Sequence, residues 1–94
     1  MKVESATFEL LAEPPVPEWI MRVTAKGSGF QVRALGLCAR VGDVPVEGLL
    51  EDDDLKGFVG YLRSVPPDGA HLFVGYDPGD LKDTDIQFHA PPNV

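Results

Sequence analysis

The chain has 94 residues, 44% of them apolar and 24% charged, with a formal net charge of −7 and one cysteine. That size suits a single domain with a thin core, and the balance excludes a disordered chain, a strongly basic nucleic-acid groove and a disulfide-stapled secreted fold. No run approaches the ~20 apolar residues of a membrane helix, and glutamates interrupt the start where a signal peptide needs an apolar stretch.

A cytoplasmic protein is therefore expected. Its charge is uneven. Residues 1–42 hold five basic and four acidic side chains, and residues 43–94 hold three and eleven. An acidic half of this kind favours solubility first and a basic partner second.

Alternation of apolar and polar residues predicts a first strand over Lys2–Ala12, with Ala6, Phe8, Leu10 and Ala12 on one face. Three prolines in residues 13–18 make the next stretch a loop. A second strand over Trp19–Lys26 and a third from Phe30 to Leu35 flank a turn at Lys26-Gly-Ser-Gly29. Symmetric closure of both turns pairs Leu10 with Met21, Phe8 with Val23, Val23 with Val32 and Met21 with Ala34. A short hairpin about Gly42-Asp43 follows, with Pro45 suited to a sheet edge.

One helix is expected from Asp52 to Pro66. Three aspartates supply the cap, and Leu55, Phe58, Val59 and Leu62 form the apolar stripe. Two C-terminal strands, over Ala70–Tyr76 and Asp85–Ala90, are expected to pair with Val74 opposite Phe88. The predicted fold is one α+β domain over residues 1–94. In it, a mainly antiparallel sheet of five or six strands carries one helix on one face, and residues 90–94 fray. Phe8, Trp19, Val23, Val32, Phe58 and Leu62 should share the core.

The face away from the helix carries the most specific functional signal. The predicted register aligns Leu11, Ile20 and Leu35 in an apolar row beside Glu9, Arg22 and Arg33. Such a row suits a contact surface with an aliphatic centre and arginines at its rim. These five residues, Leu11, Ile20, Leu35, Arg22 and Arg33, are the candidate interaction site. The expected partner is another protein or a second copy of the chain, with no nucleic acid, membrane or cofactor involved. Arg22 beside Arg33 is a like-charge pair that Glu9 half neutralises, which invites an acidic group from elsewhere.

His71, His89 and Cys38 are the residues able to support an enzyme or a ligand- or metal-binding protein instead. Two histidines supply half a zinc site, and no ligand spacing completes it. The aspartates at 77, 80, 83 and 85 depart from calcium-loop spacing and suit Asx turns. A third reading makes the acidic second half a decoy for a nucleic-acid-binding protein. Lys26-Gly-Ser-Gly-Phe-Gln-Val is similar to the carboxylate-binding loop of PDZ domains, and Val41-Gly-Asp-Val-Pro-Val-Glu-Gly48 to a later part of that fold. That family places a helix and further strands between the two segments, for which this chain has no room, so its function is not carried over. A non-enzymatic interaction or regulatory protein is the leading expectation.

Overall fold

The structure, a computed structural model, describes residues 1–31 and 36–90. Four hairpins in succession build it: β1 (Lys2–Leu10) with β2 (Met21–Ser28), β3 (Cys38–Val41) with β4 (Val44–Pro45), β5 (Glu47–Glu51) with β6 (Gly57–Leu62), and β7 (His71–Gly75) with β8 (Lys82–Gln87). Alternate hairpins join alternate sheets. Sheet A has the order β1-β2-β6-β5 and sheet B the order β4-β3-β7-β8, with every pairing antiparallel.

The inner faces of the two sheets meet in one core. Met21, Val23, Ala25, Phe58 and Leu62 come from sheet A, and Ala39, Val41, Leu72 and Val74 from sheet B. Phe30 and Phe88 close the ends, Phe30 edge-on to Phe58 and Phe88 edge-on to Phe8. Burying each large side chain contributes about 1.5–3 kcal/mol of transfer free energy, and that drives the two sheets together.

The predicted α+β class is overturned, because the stretch assigned to a helix is a hairpin. Asp52 N donates to Gly57 O at 2.9 Å and Leu55 N to Asp52 O at 3.0 Å, while Asp54 Oδ1 accepts Lys56 N at 3.1 Å. The aspartates thus shape a turn rather than cap a helix, and Leu55 adopts φ 57° within it. Gly-Phe-Val-Gly-Tyr-Leu then alternates: Phe58, Gly60 and Leu62 point inward, Val59 and Tyr61 outward. Phe58 and Leu62 lie four apart, a spacing that puts two residues on one face of a helix and equally on one face of a strand. Two glycines oppose the helix, and the aromatic and β-branched residues between them favour the strand.

The first hairpin keeps its predicted register, with Leu10 opposite Met21, Phe8 opposite Val23 and Glu9 opposite Arg22. The far side of β2 does not keep its predicted partner. No turn forms at Lys26–Gly29, since β2 runs through Gly27 and Ser28 opposite Val3 and Lys2. Its second neighbour is β6, so Met21 faces Leu62, Val23 faces Gly60 and Ala25 faces Phe58. A long-range strand with matching apolar alternation thus replaces the local one. The expected third strand falls largely on residues 32–35, outside the described residues. Of the expected core, Val23, Phe58 and Leu62 are fully buried, Phe8 is half-buried, Trp19 lies on the outer face and Val32 is not among the described residues.

In sheet B the hairpin about Gly42-Asp43 forms as expected, and Pro45 sits on the edge strand β4. The last hairpin pairs in another register. Phe73 faces Asp83 and Val74 faces Lys82, with an irregularity between Phe73 and His71, which faces Gln87. Phe88 lies past the end of β8 and bonds through its N–H to Ala70 O at 2.7 Å.

Candidate functional site

Strand alternation sends every second residue of sheet A away from the core, and the four strands align these residues in two rows. Glu9, Arg22, Tyr61 and Glu47 form one, and Thr7, Thr24, Val59 and Leu50 the other. Among the described residues no strand or helix covers this face. Leu50, at 74% exposure, is the most exposed of the large apolar side chains described.

Trp19 turns onto this same face from the proline loop. Its N–H bonds to Val16 O at 3.0 Å, and its ring stacks on Tyr61 with centroids 4.7 Å apart and planes 5° apart. The indole also lies against Gly48, where an added Cβ would meet the ring at 2.5 Å. Nε1 reaches Glu47 Oε1 at 3.4 Å, and Arg63 Nε donates to Glu47 Oε2 at 2.5 Å. The Arg63 hydrogen bond, with help from Trp19 and the cationic charge, holds the Glu47 carboxyl below its usual range, and the same contact holds Arg63 above its own. The result is an aromatic pair fixed by packing, a glycine and an ion pair. Alternation had put Trp19 on the inner face. The prolines at its N-terminal side were the signal that the strand pattern does not extend back to it.

Of the five predicted interaction residues, Arg22 lies within this surface, and Leu11 and Ile20 follow at the loop end of the first hairpin. Arg22 pairs with Glu9 on one side and faces Tyr61, not Arg33, on the other. Leu11 N donates to Ile20 O at 3.0 Å, so the two residues adjoin as the register required. Leu11 is half-buried, and Ile20, also half-buried, packs against the core. Arg33 and Leu35 lie outside the described residues.

The outer face of sheet B carries a second polar group. Pro45, Arg40, Phe73 and Asp83 align across its four strands, with the Arg40 guanidinium 3.9 Å over the Phe73 ring and Nη1 donating to Gly42 O at 2.6 Å. His71 Nδ1 lies 2.9 Å from both Asp83 oxygens, and Asp85 Oδ1 is 4.0 Å away. Asp83 is held below the usual carboxylate range by the Asp85 N–H first and by His71 second. One ligand atom from each of His71, Asp83 and Asp85 falls within a 4.8 Å group. The structure gives His89 a different neighbour, Asp68, at 3.7 Å, and places Cys38 opposite Gly75. The expected facing of Phe73 and His89 does not occur.

Beside β5 lies a cleft of about 410 Å³, bounded by Leu49, Leu50 and Glu51, by Leu55 of the turn and by Leu37 before β3. No helix among the described residues is long and apolar enough to cross a membrane. Comparison with known proteins found no matching family model, no similar curated protein and no similar solved structure.

Proposed function

We propose that the protein is a small, acidic, non-enzymatic interaction module and that the outer face of sheet A is the surface it offers to a partner protein. The observation that supports this most is the stacked Trp19–Tyr61 pair, pinned against Gly48 and open on the same face as Leu50 and Val59. Rigid aromatic side chains with an aliphatic neighbour make strong anchors, because little side-chain freedom remains to be lost on contact. The charges around them are internally matched: Arg22 with Glu9, Arg63 with Glu47, and Lys26 with Asp52 at 2.9 Å. Such a rim excludes water and sets orientation while the centre supplies affinity.

A net charge of −7 opposes self-association, so the proposed partner is a different protein. Trp19 is the one tryptophan of the chain, so its emission reports on this surface directly. Proteins recovered on the immobilised chain are identified by mass spectrometry, and one of them is then purified and titrated against Trp19 emission. Tyr61→Ala should abolish both capture and the emission change while the far-UV spectrum stays unaltered. Equal binding by Tyr61→Ala would remove the basis of the proposal, as would a salt-insensitive dimer in light scattering with nothing else bound.

A further inference from the structure

A free sheet edge, an apolar cleft and an unpartnered carboxylate coincide at β5. This strand pairs with β6 on one side only, and among the described residues no strand pairs with its other side. Asp52 N donates to Gly57 O. In an antiparallel ladder alternate residues face the partner, so Glu51 turns its N–H and C=O outward, to the free edge. The Glu51 side chain leaves the strand on the side of its cross-strand partner Phe58, a fully buried core residue. Its Oε2 has no solvent access and no hydrogen-bond partner.

A carboxylate oxygen shut off from water without a donor is unfavourable, and Glu51 as a whole is half-buried at the cleft, where a donor from outside can reach its carboxyl group. The other acidic residues nearby are differently placed. Asp52 is engaged by Lys26, Asp54 accepts the Lys56 N–H, and Asp53 stands exposed at the cleft rim. Glu51 and Asp53 thus leave negative charge at a cleft whose remaining walls are Leu37, Leu49, Leu50 and Leu55.

We infer that this cleft receives an extended segment of a partner protein that adds to sheet A along β5 and places a lysine or arginine on the Glu51 carboxylate. Strand addition satisfies the outward backbone groups of Glu51. The period of two in the added strand sends alternate side chains into the cleft, where the leucines take an aliphatic one and Glu51 the cation. The excess negative charge of residues 43–94 draws such a segment in. This inference goes beyond the aromatic face: the two share Leu50 at their border, but none of the contacts proposed here involves Trp19 or Tyr61.

The probe is an acetylated, amidated peptide with threonine at every second position and valine and lysine taking turns at the positions between, so that both enter the cleft from one face, compared with the same peptide carrying acetyl-lysine. Binding to the full chain is followed by amide NMR, with hydrogen exchange read at Glu51. The lysine peptide should bind saturably, slow exchange of the Glu51 amide and weaken as salt rises. Glu51→Gln should weaken it by about tenfold or more, the range of a hydrogen bond to a charged group. Acetylation of the lysines should do the same. Glu51→Gln keeps the side-chain shape, and its thermal unfolding, run in parallel, verifies that the variant is folded. Tyr61→Ala should leave peptide binding unchanged, which separates this site from the aromatic face. Equal affinity for Glu51→Gln, an unprotected Glu51 amide at saturation, or no saturable binding of the lysine peptide would each overturn the inference.

Discussion

Gly57 and Gly60 show how single residues choose between two conformations of the same segment. A Cβ on Gly57 would lie 2.2 Å from Ala25 O of β2, and one on Gly60 would lie 2.2 Å from Val46 Cγ1. Gly57 is there because the backbone of β2 passes too close for a side chain, and Gly60 because the Val46 side chain fills the space. In a solvent-facing helix Gly57→Ala would stabilise by about 1 kcal/mol. In the strand it must displace backbone, and it should destabilise by about 1–3 kcal/mol or more in urea unfolding. A stabilised variant would mean that β6 does not lie against β2 as described. Glu47 and Asp83 support a prediction of the pH response. Each folded-state carboxyl lies below its ordinary value, so the stability it contributes is complete above the unfolded value of about 4. That contribution is lost as pH falls through the depressed value. The urea midpoint should therefore fall on acidification below about pH 4, and the combined variant Glu47→Gln with Asp83→Asn should flatten the fall. An unchanged acid limb would show that neither contact contributes.

Element by element, legibility followed sequence distance. The β1–β2 pairing was readable because a proline loop closes it and both strands alternate cleanly, which leaves one register with apolar opposite apolar. The β3–β4 hairpin was readable from its Gly42-Asp43 turn. The pairing of β2 with β6 was not. The Lys26-Gly-Ser-Gly29 stretch offers a local turn, and nothing in residues 57–62 names β2 as their partner. The spacing of Phe58 and Leu62 satisfies a helix and a strand alike. Because β2 and β6 are the central strands of sheet A, their amides should exchange slowest with solvent, and those of the edge strand β1 much faster. Equal protection in β1 and β6 would contradict the strand order.

At the scale of the whole molecule, stability resides in the contact between the two inner faces. Phe58 is fully buried where β6 meets Phe30 and the strands of sheet B. Phe58→Ala should cost about 3–5 kcal/mol, a large share of the ~5–15 kcal/mol that holds a domain together. A loss below about 1 kcal/mol, which surface substitutions give, would mean that the sheets do not close over it. The Arg22–Glu9 pair, by contrast, is exposed, and its removal should move the urea midpoint little. The far-UV spectrum should carry a β signature and no helical one. A helical spectrum would restore the α+β reading and remove the β5 edge on which the peptide site depends.

The residues alone determined the acidic balance, the first and second hairpins and part of the core, Val23, Phe58 and Leu62. Each is local: composition, a turn with strands on either side, or a side chain that avoids water wherever it ends up. The site residues were legible only in part. Arg22 was placed on the outward face, and Leu11 beside Ile20, by a register that holds, but Ile20 packs against the core. The Trp19–Tyr61 stack and the Glu47–Arg63 pair join segments that no local pattern connects. His71 likewise meets Asp83 instead of lying near His89 because β7 and β8 pair in a register that the sequence between them does not specify. Only the tertiary structure decided these, since a strand satisfies half its backbone and buries one face only when a distant strand arrives, and the sequence of neither strand specifies the other.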